Sequence, residues 1–239
     1  MRIAALRSYR WGETGDILAD LLTIIEGRDL PALDKADHLE TLLAVADKYE
    51  MPMVKSVVRM AFSSPLLDAS PIRVYGIACR MSWKQEAMAA SSRTLGIDLS
   101  DPALHSEMAA WEPRHRSMLL DLHRRRKKEF LASLDDPLMF SANIVGARCN
   151  STGCTAMLNH TRWWAFKYAL ATRLIESPVG PGLVDEICCM QELWDVAEAK
   201  CTDCHKGLYL MPLTMEHLQS VFRDLPRTVE WEDSEEQAT

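Results

Sequence analysis

Two close cysteine pairs constrain this chain more than any other feature: Cys149-Asn-Ser-Thr-Gly-Cys154 and Cys201-Thr-Asp-Cys204. Each pair sits in a stretch rich in turn-forming residues, and 46 residues lie between them. Two tight turns that each carry two thiols can supply the four corners of a tetrahedral zinc site, which leaves no open position for substrate. The spacing therefore predicts a structural zinc on Cys149, Cys154, Cys201 and Cys204, a cofactor that supports a fold and does not catalyse. His160 and His205, close to the two pairs, are candidates to replace a thiolate. Cys201-Thr-Asp-Cys204-His205 also matches the haem c attachment pattern, but that chemistry needs an exported chain. A thioredoxin-like role for the same pair would need a preceding strand and a βαβ context, and neither is evident.

Seven cysteines among 239 residues is an odd number, better explained by metal ligation and burial than by a disulfide framework. The N-terminus lacks the apolar stretch of a signal peptide and no run approaches the length of a membrane helix, so an intracellular chain is expected, cytoplasmic or nuclear, with no membrane partner. A formal charge of −7 argues against general affinity for nucleic acid. With 48% hydrophobic and 26% charged residues, there is enough apolar material for a sizeable core.

The apolar residues recur at helical steps and almost nowhere alternate, so the chain reads as mainly α. Leu39, Leu42, Leu43, Ala46 and Tyr49 form one stripe, with Asp37 and Glu40 spaced as a capping box. Pro52 starts the next helix, Ser70-Pro71 another, and Ser82 with Gln85 a further one. Pro113 opens a long helix that contains the basic run from Arg124 to Lys128 and ends at Asp135-Asp136-Pro137. Residues 135–159 read as an irregular connection. Helices follow on Trp163, Lys167, Leu170 and Leu174; on Ile187, Met190, Trp194 and Ala197; and on Met215, Leu218, Phe222 and Leu225. The acidic tail from Glu230 reads as disordered.

Within this pattern, Leu39-Glu-Thr-Leu-Leu-Ala-Val-Ala-Asp-Lys-Tyr-Glu-Met51 resembles the closing helical pair of a BTB/POZ domain. Ser70-Pro-Ile-Arg-Val-Tyr-Gly-Ile-Ala-Cys-Arg80, Leu119-Leu-Asp-Leu-His-Arg-Arg-Arg126 and Arg162-Trp-Trp164 are similar to the basidiomycete-type fungal BTB proteins. The resemblance spans residues 17–228 and lacks the front half of a BTB domain, its mixed sheet and early helices. It implies a partial BTB/POZ domain at 1–62, a helical extension at 63–134, a cysteine-paired, zinc-clipped helical subdomain at 135–229 and a disordered tail at 230–239. Leu21, Leu22, Ile24 and Ile25 would then form an apolar surface that a complete domain covers. The implied role is a non-enzymatic protein-interaction module or adaptor, with other proteins as partners and a cullin-type ubiquitin ligase among them.

A second reading is a nuclear transcription regulator that touches DNA through the basic helix and the zinc module. The basic run spans more than one turn and reads first as a solvated helix face. Of Trp163 and Trp164, one is expected in the core and its neighbour at the rim. No Gly-rich phosphate loop, Gly-x-Ser-x-Gly elbow or His-Glu-x-x-His pair is present, and a cysteine nucleophile would need His160 or His217 beside it, so no catalytic residue is assigned.

Overall fold

A computed structural model describes residues 15–231 apart from 28, 65, 66, 68, 69, 141, 143, 145, 150, 177 and 178. Among the described residues the structure is helical with no strand, only isolated antiparallel bridges. It divides into two compact units, the first running to Ile77 and the second beginning at Ala78.

The first unit contains α1 (Gly15–Glu26), α2 (Ala36–Lys48), α3 (Pro52–Phe62) and the first turns of α4 (Pro71–Arg80). α1 lies against both α2 and α3, and Leu21, Ile24, Leu39, Leu42, Val58 and Phe62 are buried. Half of the apolar quartet on α1 is therefore core, while Leu22 (57%) and Ile25 (47%) face solvent. The corner between α2 and α3 is built from Glu50 in the left-handed region (φ 52°), with the Met51 N–H donating back to the Ala46 carbonyl at 2.8 Å. Pro52 then takes the first helical position, where its missing N–H costs nothing.

The expected capping box on α2 does not form. Lys35 is the N-cap and no side chain caps the helix. Asp37 and Glu40 lie one turn apart inside it and together hold Arg73, whose Nε and Nη2 donate to the two Glu40 carboxylate oxygens at 3.2 and 2.9 Å while Nη2 lies 2.5 Å from Asp37 Oδ1. A bidentate guanidinium bond outcompetes a cap whose donors face water. Ser82 likewise is not a cap: it adopts φ 56° after α4, the Trp83 N–H returns to the Ala78 carbonyl at 2.8 Å, and Trp83 is the N-cap of α5 (Lys84–Arg93).

The second unit continues through a 3-10 turn (Thr94–Gly96), α6 (Pro102–Ala109), α7 (Pro113–Ser133), α8 (Thr161–Glu176), α9 (Leu183–Cys188), α10 (Gln191–Ala197) and α11 (Met211–Asp224). α6 has no counterpart in the sequence reading, although Asp101-Pro102 is a start signal: the Asp101 side chain accepts from the Ala103 N–H at 2.9 Å. The single helical face expected from Ile187 to Ala197 is two short helices, with Met190 as the N-cap of α10, so that Leu193 and Val196 are buried and Trp194 is 60% exposed. Trp163 is buried and Trp164 is half exposed. The break before α9 has a packing reason, since a side chain on Gly180 would meet the Gly96 Cα at 2.7 Å.

The basic run is not a uniformly solvated face. Arg126 is buried; its Nε donates to the Val179 carbonyl at 3.0 Å, its Nη1 to the Pro226 carbonyl at 2.5 Å, and its guanidinium lies 5.2 Å from the Phe222 ring centre. Burial, then the charge of Arg227, pulls its pKa down to about 10. Arg124 pairs with Asp121 at 2.8 Å and Arg125 with Glu230. Glu230 and Trp231 are consequently not part of a loose tail, Trp231 stacking on His115 with ring centres 5.5 Å apart; residues 232–239 lie outside the described residues.

One turn before Arg126, His123 closes a buried polar chain. Thr94 donates its hydroxyl to the Ser91 carbonyl at 2.7 Å and so receives the His123 Nε2 proton at 3.1 Å, while the Val229 N–H reaches Ser91 Oγ at 3.1 Å. Burial, then Arg126 and Lys127, holds His123 down to about 4. An unfolded histidine titrates near ~6.5, so between these values the unfolded chain binds the proton first; stability is full above about pH 6.5 and drains as pH falls toward 4. In urea unfolding from about pH 7 to 4, the wild type is expected to lose up to about 3 kcal/mol more than His123→Gln, and parallel pH curves would refute this. Arg126→Ala, which strands two carbonyls, is expected to cost about 2–4 kcal/mol in the same assay, against under about 1 kcal/mol for Arg124→Ala.

Candidate metal centre

The irregular connection before α8 and the segment after α10 form two turns of the same design. In the first, the Leu158 N–H donates to the Ala147 carbonyl and the Cys149 N–H to the Ala156 carbonyl, both at 2.9 Å, with an antiparallel bridge between Arg148 and Met157. In the second, the Leu208 N–H donates to the Ala199 carbonyl at 2.9 Å and the Cys201 N–H to the Lys206 carbonyl at 2.8 Å, with Lys200 bridging Gly207.

The residue two places beyond the second cysteine has the same double role in each turn. The carbonyls of Ala156 and Lys206 accept from the first cysteine of their turn, and their N–H groups donate to the Sγ of the second, Cys154 and Cys204. The extra length of the first loop is absorbed between its cysteines, where Gly153 takes φ 82° and the Cys154 N–H returns to the Ser151 carbonyl. In the second loop His205 takes the left-handed position (φ 59°).

These turns bring all four predicted thiols together. The Sγ atoms of Cys149, Cys154, Cys201 and Cys204 lie within 4.8 Å of one another, in an arrangement that could hold a metal ion. Cys149 and Cys204 are 3.6 Å apart, and Cys154 and Cys201 3.8 Å. A tetrahedral ion with ~2.3 Å bonds to sulfur has edges of about 3.8 Å, which these two separations match. These separations far exceed a sulfur–sulfur bond, and all four cysteines are free thiols.

Electrostatics supports the same fit. The Lys206 N–H, and then the surrounding thiols, draw the Cys204 pKa down to about 7. At Cys154 the Ala156 N–H pulls the other way from desolvation and the neighbouring sulfurs, which together push the thiol up to about 12; Cys149, bonded by the Ser151 N–H, is also raised by desolvation and by Cys204. Once one thiolate forms, its negative charge resists the next deprotonation, and a divalent cation at the centre removes that resistance.

Neither histidine joins the cluster. His160 Nδ1 pairs with Tyr209 Oη at 2.7 Å, and burial lowers its pKa and raises that of Tyr209 to about 12. This bond ties the chain leaving the first turn to the chain leaving the second. Tyr209 escaped the sequence reading, because a tyrosine beyond a cysteine pair has no pattern that marks it. His217, the other candidate partner for a nucleophile, donates its Nδ1 proton to the Met139 carbonyl at 2.5 Å. Cys79 is buried, and Cys188 and Cys189 lie at the end of α9, apart from the four-thiol group.

No family model, curated protein or solved structure matches the chain. No helix among the described residues is long and apolar enough to cross a membrane.

The ligand set is testable without naming the metal. Reduced protein is expected to hold one divalent ion per chain by elemental mass spectrometry, to lose it in Cys154→Ser, and to keep it in His160→Gln and His205→Asn. Loss of metal in either histidine variant would revise the donor set.

Proposed function

We propose that this chain is a non-enzymatic protein-interaction module of the BTB/POZ type, with a structural zinc in its second unit. The observation that carries the reading is the closed thiol cluster. Four protein sulfurs fill the tetrahedron, so an ion there has no vacant position at which to activate water or polarise a substrate. Four soft thiolates at tetrahedral spacing favour zinc over the hard divalent cations. The chemistry we assign to the site is cross-linking.

Exposed apolar side chains support a role in binding proteins. In the first unit Leu22, Ile25, Met53 and Met60 are between 47% and 65% exposed, apolar area that a protein partner could cover. Of the two segments that most resemble the BTB/POZ family, the first begins on α2, in the stretch likened to that domain's closing helical pair, and the second lies on α4, in the helical extension that follows it. The partners are accordingly other proteins, a cullin-type ubiquitin ligase being the class that the resemblance implies.

One comparison tests metal and function together. The wild type should carry one zinc per chain, and Cys201→Ser combined with Cys204→Ser should lose it with a fall in helical circular dichroism, since binding free energy at such a site is folding free energy. Affinity purification of both proteins, read by quantitative mass spectrometry, should enrich a specific protein partner on the wild type. If residues 17–62 can be deleted with no partner lost, the interaction reading fails; a well-folded chain without zinc refutes the metal reading.

A further inference from the structure

We infer that the four-thiol centre is a redox-exchangeable staple: a peroxide oxidises its sulfurs in pairs that cross from one turn to the other, expels the zinc and leaves two disulfides that keep the turns joined. The inference rests on the zinc reading above and adds the regulation of that same site.

The pairing follows from the geometry. Cys149 Sγ lies 3.6 Å from Cys204 Sγ and Cys154 Sγ lies 3.8 Å from Cys201 Sγ, so each of these contacts joins a sulfur of the first turn to a sulfur of the second. A disulfide needs about 2.05 Å, an approach within reach of side-chain rotation. The turns can stay as they are. Ser151, Ala156 and Lys206 hold Cys149, Cys154 and Cys204 by N–H donation from within each sulfur's own turn, and the backbone rungs Cys149–Ala156 and Cys201–Lys206 involve no sulfur at all.

Chain topology favours the same pairs. The crossing bonds span 55 and 47 residues, whereas bonds within the turns, Cys149 to Cys154 and Cys201 to Cys204, would close only very short loops. A longer closed loop takes more freedom from the unfolded chain. Crossing disulfides therefore stabilise the fold that already holds their sulfurs in contact, while bonds within the turns would leave the two turns without a covalent link.

The chemistry balances with a peroxide as oxidant. A thiolate attacks one peroxide oxygen, the O–O bond breaks, hydroxide leaves and the sulfur becomes a sulfenic acid. The crossing partner's thiolate then attacks that sulfur, the S–S bond forms and a second hydroxide leaves. Two disulfides thus take four thiolates and two peroxides, and four protons from solvent turn the hydroxides into water. Zinc departs as the free dication because its ligands have lost their charge. Access suits this order of events. Cys149, Cys154 and Cys204 are partly exposed, so each crossing pair presents a sulfur to the oxidant, and Cys201, at 3% exposure, is shielded from direct attack and left to resolve Cys154. The output is a released zinc ion from a chain that stays folded.

The test uses the full, zinc-loaded chain. It is treated with about two to ten equivalents of hydrogen peroxide, released zinc is read with a chromophoric chelator, and thiols are alkylated at low pH before non-reducing peptide mapping. We expect one zinc released for each two peroxides consumed at the site, bonds at Cys149–Cys204 and Cys154–Cys201, and helical circular dichroism within about a tenth of its starting value, whereas chelator-stripped, reduced protein loses helix. Dithiothreitol with added zinc should restore the starting state. Bonds within the turns, sulfinic or sulfonic products, zinc retained at the highest peroxide, or helix lost along with the metal would each overturn the inference. A chain that holds no zinc before peroxide is added fails the zinc reading, and with it the release step, on that measurement alone; a chain that holds zinc and oxidises in any other way fails only this inference.

Discussion

The contact between sulfurs 47 and 55 residues apart in sequence is the constraint on which the second unit depends. Closing a loop of that length costs the unfolded chain's freedom, on the order of 4 kcal/mol for a covalent cross-link of similar span. The turns themselves cannot meet that cost. Each is held by two backbone rungs, and an isolated two-stranded hairpin is marginal in water. A four-thiolate zinc contributes about 10–16 kcal/mol in small metal-dependent domains, so a metal ion bound this way by the four thiols would offset the closure of the loop and the ordering of both turns. α8, α9 and α10 occupy that intervening stretch, and α8 packs directly on α10. Both ends of this helical group are therefore pinned to one point.

α7 provides the other organising element. Its Arg126 sends one guanidinium to carbonyls from two separate segments, at Val179 and Pro226, neither of which belongs to a helix that could satisfy it. A buried carbonyl without a donor costs about 1–3 kcal/mol, so a single arginine removes that penalty at Val179 and part of it at the half-buried Pro226, while its own charge bears the desolvation seen in its lowered pKa. The neighbouring His123 avoids that burden by remaining neutral. α7 thus serves as a spine from which Arg126 reaches irregular backbone and His123 reaches the Thr94 hydroxyl, which explains how a helix with so basic a stretch can have a buried arginine within it.

Much of this was readable from residue patterns, for reasons that differ by element. The four thiols were visible because ligand spacing is a local property of each pair, and tetrahedral chemistry supplies the long-range pairing that spacing alone does not. Proline at 52, 71 and 113 located three helix starts, since its geometry suits the first position whatever surrounds it. Capping boxes at Asp37 and Ser82 misled because a cap competes with other uses of the same side chain: Asp37 and Glu40 bind an arginine 33 or more positions away, and Ser82 sits beyond a helix end rather than before a helix start. Arg126 was read with its neighbours as solvated because charge predicts exposure on average, whereas its burial depends on two carbonyls that only the folded chain brings near. Trp194 faced the opposite error. Its apolar character suggested core, but the break at Met190 rotates α10 so that Leu193 and Val196 take the inward positions.

The same staple bears on what surrounds it. Residues 137–140, 146, 147 and 208–210 lie outside the helices, and such segments usually keep enough freedom that ordering them opposes any association they take part in. Here Ala147 and Leu208 are both rung residues of the cysteine turns, and the Tyr209 hydroxyl is fixed to His160. Three contacts thus transmit the rigidity of the thiol cluster directly into the walls of the apolar cleft that these segments line. The entropy of ordering those walls is then spent at folding rather than at binding, so the exposed Leu138 and Leu210 gain the preorganisation that binding surfaces otherwise draw from helices or strands. A metal ion held by the four thiols would therefore act on the cleft walls as well as on the turns, because the same backbone rungs belong to both.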